Sequence, residues 1–180
     1  MIEIVVDKKD LRNVQRQLGN LKKKAPVVIS RALNKTATSA RVRLKNRAQA
    51  AYTVKSGKFN KAMEIEKATS GKLVATIKSA GKPLNIIDFK TSAPKSGAKA
   101  QILSGSGLKK LEMSGIKAFR GPSGQIFQRR GKERLPIKKL VSNSVPVMIG
   151  SEEHVYGQEK AAIQQDLNKY VEQQIKALVK

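Results

Sequence analysis

The sequence predicts an α+β fold: an antiparallel β-sheet packed with N-terminal helices and a long C-terminal helix. Apolar residues recur at three- and four-residue intervals near both ends of the chain. Between about residues 63 and 137 they alternate with period two, broken by Gly- and Ser-rich turns. Helices and hairpins are therefore segregated rather than alternating, the pattern of an α+β layout and not of a parallel sheet.

Residues 1–6 alternate Ile2, Ile4 and Val6 and read as a short strand. Asp7 is placed to cap a first helix, with Asp10 three residues on and Leu11, Val14, Leu18 and Leu21 at helical spacing. Gly19 and Asn20 weaken its end, and Lys22, Lys23 and Lys24 fall at its negative pole, where cations are favoured. Pro26 suits the first turn of a second helix. Its stripe runs Ile29, Leu33, Ala37, Ala40, Leu44, Ala48 and Ala51, an Ala-rich seam that packs closely but buries little area per residue. Arg47 lies close to this stripe, where its stem can follow apolar surface.

Met63 and Ile65, a Ser70-Gly71 turn, then Leu73, Ala75 and Ile77 predict a β-hairpin. Residues 84–89 form a short apolar patch, and 91–107, made mostly of Ser, Gly, Ala and Lys, read as a mobile loop. A second hairpin follows, with Ile116, Ala118 and Phe119 before a Gly121-Pro122-Ser123-Gly124 turn and Ile126 and Phe127 after it. Leu135-Pro136-Ile137 resumes extended structure, which Ser144-Val145-Pro146 ends. In the last helix Ser151 is the expected cap, with Glu152 and Glu153 at the positive pole. Its stripe is Tyr156, Ile163, Leu167, Tyr170, Val171, Ile175 and Leu178.

The 180 residues fit a single domain. Aromatic content is only 4% and Trp is absent, which predicts a thin monomer core of the kind completed in an assembly. Cysteine is absent, excluding disulfide and thiol chemistry, and with one His a zinc site is not expected. No leader-like segment and no apolar run of the ~20 residues needed to span a bilayer occurs, so a soluble chain made in the cytoplasm is expected, with no membrane partner.

Charge is the main functional signal. The chain carries 37 Lys and Arg against 13 Asp and Glu. Residues 1–150 hold 33 basic and 8 acidic residues, whereas 151–180 hold 4 and 5. Between Asp10 and Glu64 there are 14 basic residues and no acid. Helix faces ordinarily mix signs so that i,i+4 pairs form. Here each cation is hydrated, repelled by neighbours or matched from outside the segment. The candidate contacts for nucleic acid or for an acidic protein partner are Lys22, Lys23, Lys24, Arg31, Lys35, Arg41, Arg43 and Lys45, with Arg129, Arg130, Lys132 and Arg134 around Gly131. That last group reads either as a phosphate-touching loop tip or as an exposed hairpin end.

Catalytic signals are poor. Gly-Lys pairs at 57–58, 71–72, 81–82 and 131–132 are followed by Phe59, Leu73, Pro83 and Glu133, never Ser or Thr, so none completes a phosphate-binding loop. No Gly-x-Ser-x-Gly elbow appears. His154, beside two Glu, reads as a surface histidine, and Glu64 and Glu66 as partners for Lys61 and Lys67. No enzyme activity, cofactor, metal ligand or catalytic residue is expected. The aromatic platform of a single-strand binder is missing from the pattern, and Phe119 and Phe127 lack the Gly-Phe context of an RNA-binding module, so any nucleic-acid contact is expected to be made through the phosphate backbone.

Residues 115–149 carry a resemblance. Gly115-Ile116-Lys117-Ala118-Phe119, a glycine turn and Gln125-Ile126-Phe127-Gln128-Arg129 lead into Gly131-Lys132-Glu133-Arg134-Leu135-Pro136-Ile137 and then Ser142-Asn143-Ser144-Val145-Pro146. This stretch resembles the minor tail protein Z family of tailed bacteriophages and prophages. Ser30-Arg31-Ala32-Leu33-Asn34-Lys35, Lys82-Pro83-Leu84 and Asp88-Phe89 agree with it, so the resemblance covers most of 25–179. It implies a structural virion protein that completes the head-proximal end of the tail, where tube meets neck. The implied partners are the tail tube and tail terminator, other copies of the chain in a ring, and phage DNA touched through its backbone. The C-terminal stripe, through Ile163, Leu167, Val171 and Ile175, is then expected to pack on the sheet or on a neighbouring subunit. The rival expectation is a basic nucleic-acid-binding protein without sequence specificity.

Overall fold

The computed structural model describes residues 1–55 and 57–179, so positions 56 and 180 of the predicted 1–180 domain lie outside it. Strand β1 (Ile2–Val5) buries Ile2 and Ile4 on one side and exposes Glu3 and Val5 on the other. Helix α1 (Lys8–Leu18) starts at Asp7, whose carboxylate accepts the Asp10 backbone N–H at 2.6 Å, and ends at Gly19 with φ 51°. A 3₁₀ turn (Gly19–Lys24) carries Lys22, Lys23 and Lys24 into solvent and leads directly to α2 (Ala25–Ala51), 27 residues long with Pro26 in its first turn. The Ala-rich stripe is the molecule's spine: Ile29, Leu33, Ala37, Ala40, Leu44 and Ala48 are all completely buried. Small side chains let neighbouring backbones approach α2 closely on more than one side.

The short helix α3 (Gly57–Asn60) drops Phe59 into the core, fully buried. Strands β2 (Met63–Glu66) and β3 (Val74–Ser79) form the expected hairpin, closed at its turn by backbone hydrogen bonds between Thr69 and Lys72. β1 joins on the other edge of β3, giving an antiparallel sheet of order β1-β3-β2 that packs on α2.

Next come β4 (Lys90–Ser92), β5 (Lys99–Gln101), β6 (Lys109–Lys110), β7 (Glu112–Met113), β8 (Ile116–Lys117), β9 (Phe119–Arg120), β10 (Ile126–Arg129) and β11 (Ile137–Lys139). They make the small sheets β4-β5-β6, β7-β8 and β9-β10-β11, all antiparallel. Backbone bonds linking Ala98, Leu111 and Ala118 tie these together around a second, minor core of Ile86, Ala98, Ala100, Ala118 and Ile126. The segment 91–107, expected as a mobile loop, thus contributes strand pairing and two buried alanines. Its buried contributions to this core, Ala98 and Ala100, are small, and so the segment lacked the large apolar signature of a strand. The lobe joins the C-terminal end of α2 through a Tyr52–Leu103 bridge and the Thr53 N–H to Ile102 carbonyl bond at 3.0 Å.

Pro146 does end the extended run, by opening helix α4 (Val145–Ile149) at its first turn. The last helix, α5 (Tyr156–Val179), begins five residues later than its expected cap. Ser151 instead caps a preceding turn: its hydroxyl accepts the His154 N–H, and its carbonyl accepts the N–H groups of Val155 and Tyr156. α5 lies along α2 and touches α1. Ile163, Leu167 and Ile175 are buried there, with Val171 half-buried against the same core. The expectation that this stripe packs on the sheet or on another subunit is therefore corrected. It is occupied within the chain, by the helix whose alanines leave a seam for it.

Candidate functional site

Helical geometry sorts the cations of α2 into two groups. Arg31 and Lys35 project from the face opposite the buried stripe and are exposed. Arg41 and Arg43 flank the stripe on opposite sides, and both are engaged inside the molecule. Arg41 donates to the Asn60 carbonyl at 3.0 Å, fastening α3. Arg43 donates through Nε to Asp166 at 2.9 Å and lies 3.7 Å from Glu159, both on α5. Asp166 also accepts from the Ser39 hydroxyl at 2.7 Å. Burial of Asp166 pushes its carboxyl up, but hydrogen bonds from Arg43 and Ser39 with the Arg43 charge outweigh that and hold it below the usual aspartate range. The same pairing raises Arg43. The acid-free helix is therefore neutralised at this point from the near-neutral C-terminal segment. Arg41 and Arg43, both expected as partner contacts, are thus also internal fastenings, and each remains partly exposed. Lys45 is half-buried and forms no ion pair among the described residues.

The exposed face of α2 is the floor of an open groove of about 830 Å³. Lys35, Thr38 and Val42 lie along it, and Arg43, Lys67 and Tyr170 complete its lining. Asn34 fixes the Lys67 side by bonding both the N–H and the carbonyl of Ala68, at 2.7 and 2.9 Å. Lys22, Lys23 and Lys24 extend the positive surface beyond the N-terminal end of α2.

The second patch lies in the β lobe, which joins the molecule at the C-terminal end of α2. Residues 90–140 hold 13 basic residues and only Glu112 and Glu133 in opposition. Arg129 opposes Ile137, and the Arg130 N–H reaches the Pro136 carbonyl at 3.0 Å. The 130–136 segment is thus a hairpin end, which carries Arg130, Lys132 and Arg134 exposed.

Phe119 and Phe127, expected in the two arms of one hairpin, are direct cross-strand partners in β9 and β10. Their ring centroids are 6.4 Å apart, and the Arg129 guanidinium lies 5.9 Å from the Phe119 centroid. This register places an aromatic pair beside the cations. The signal was present: with a tight turn held at Gly121–Gly124, the two Phe fall opposite one another.

The remaining polar candidates have structural partners. Glu66 binds Lys78 at 2.8 Å and Lys72 at 3.2 Å across the hairpin, rather than Lys61 and Lys67. These bonds hold its carboxyl below the usual range and raise Lys78. His154 sits edge-on to Tyr52 with centroids 6.1 Å apart, and its carbonyl receives Arg47 Nε at 3.2 Å, so Arg47 ties α2 to the turn before α5. Among the described residues no cluster of three or more His, Asp or Glu with metal-binding geometry occurs, and no helix is long and apolar enough to cross a membrane.

Comparison with protein-family models, with curated proteins and with solved structures yields no match to this chain.

Proposed function

We propose that this chain is a structural component of a tailed phage or phage-tail-like particle, completing the head-proximal end of the tail and working by docking rather than catalysis. The observation that carries the docking part is the division of its cations. Those beside α5 and α3 are satisfied internally, while Arg31, Lys35 and Lys22 to Lys24 at one end, and the hairpin end at the other, face outward without ion-pair partners among the described residues. Two such patches on one rigid spine suit a chain that bridges two anionic neighbours, acidic protein rings or DNA. The tail assignment itself rests on the resemblance of residues 115–149, whose β8 to β11 hairpins carry the second patch. The ring arrangement and the virion location rest on the same resemblance.

Charge reversal at the outward cations tests this reading. A Lys22→Glu, Lys23→Glu, Arg31→Glu, Lys35→Glu variant leaves every hydrogen bond described above intact, so its stability should stay within about 1 kcal/mol of the parent. Completed tails and infectivity should nevertheless be lost. Normal particles carrying this variant would overturn the proposal. Reversal at Arg43 is unsuitable, because it disrupts the Asp166 pair and confounds docking with folding. The rival reading, a basic nucleic-acid-binding protein outside any particle, predicts tight duplex binding whose logarithm falls steeply with the logarithm of salt.

A further inference from the structure

The β9-β10-β11 sheet has two unlike faces. Ile126 and Gln128 are buried, at 1% and 4% exposure, and turn inward to the minor core. With period-two alternation, Phe127 and Arg129 share the outward face. Register places Phe119 and Lys139 on either side of Phe127, and Ile137 beside Arg129. The outward surface is therefore two aromatic rings flanked by a lysine and by an arginine lying over one ring. The Phe127 ring lies close against the backbone at Gly121. A Cβ on Gly121 would lie 2.8 Å from its Cδ2 and Cε2, so only glycine lets the ring rest on the turn's backbone. A supported ring is fixed in orientation before any ligand arrives.

We propose that this face binds single-stranded nucleic acid, with bases stacking on Phe119 and Phe127 and phosphates held by Arg129, Lys139 and the cations of the hairpin end. An apolar protein surface docked here would strand Arg129 and Lys139 without counter-charge. An acidic surface would satisfy the cations and leave the rings uncovered. A single strand offers flat apolar groups and anionic groups together in every nucleotide. A duplex keeps its base faces inside the stack and presents only phosphate. The inference stands apart from the tail assignment, because the isolated full chain would bind a strand whether or not it belongs to a particle.

Fluorescence anisotropy with a labelled oligo-dT of about 16 nucleotides, and with a duplex of the same length at the same salt, tests it. The parent should favour the single strand. A Phe119→Leu, Phe127→Leu variant keeps apolar volume and removes the π faces. At about 5-fold or more per ring, it should lose at least ~25-fold on oligo-dT and less than about 2-fold on duplex. A second variant, Arg129→Gln with Lys139→Gln, leaves both rings in place. It should weaken oligo-dT binding more than Lys22→Gln with Lys23→Gln does, and lower the salt slope by about 0.7 per charge removed. Equal parental affinity for strand and duplex would overturn the proposal, as would equal losses of the leucine variant on both. So would an Arg129, Lys139 variant that behaves like the Lys22, Lys23 one. If the leucine variant fails to fold, the glutamine pair and the parental strand preference still decide.

Discussion

Replacing Asp166 by alanine removes the acceptor that joins the two long helices. Three bonds go: from the Ser39 hydroxyl at 2.7 Å, from Arg43 Nε at 2.9 Å and from a second Arg43 nitrogen at 3.4 Å. The neutral Ser39 bond is worth about 1 kcal/mol net. The Arg43 side chain is 41% exposed, so water screens the pair and its share is held to about 1 kcal/mol, although the Asp166 side chain is only 14% exposed. The total, about 2 kcal/mol, corresponds to a Tm lower by about 4–8 °C for a chain of this size. The pH dependence gives an independent check. The folded-state pKa of Asp166 is depressed, so its stabilisation is fully present above the unfolded value near 4 and is lost as pH falls through the lower folded value. Thermal denaturation followed by circular dichroism at pH 7 should show the full Tm gap between parent and variant, and the gap should narrow steadily below about pH 4. An Arg43→Ala, Asp166→Ala double-mutant cycle should return a coupling of about 1 kcal/mol. A variant within about 1 °C of the parent at pH 7, or a gap unchanged in acid, would refute the claim that α5 neutralises α2 through this carboxylate.

Two other substitutions probe the frame that positions both patches. Gly157, the second residue of α5, lies against the Glu152 carbonyl, and a Cβ there would lie 2.0 Å from that oxygen, so Gly157→Ala must displace backbone and should cost about 2 kcal/mol or more in urea denaturation. Leu44 is completely buried in the α2 stripe, and Leu44→Ala should cost about 2–5 kcal/mol by the same measurement.

The helices were legible because their signals are local. The spacing of Ile29 through Ala48 fixes the buried face of α2 without knowledge of what covers it, and Asp7 announces its own helix. What covers a face is a matter of tertiary geometry. The α5 stripe was visible, but nothing in its spacing distinguishes a partner in the same chain from one in another. The partners of Arg43 were illegible for the same reason, since Asp166 lies 123 positions away. The β lobe was half legible. Its Phe119 to Phe127 hairpin has turn glycines and large apolar residues, whereas β4 to β6 are built from Lys, Thr, Ser, Ala and Gln and give the minor core only the methyl of Ala100. Electrostatics was legible in sum and not in detail. An excess of positive charge is visible in composition, but which cations remain outward depends on where the few carboxylates fold back.

Quantitative mass spectrometry of this chain in purified tail particles from induced producer cells tests the structural role most directly. A fixed, low copy number per tail, a small multiple of the tube's rotational symmetry, is the expected result. Absence from particles, with the chain recovered on ribosomes or chromosomal DNA, would contradict the tail assignment and favour the nucleic-acid-binding reading.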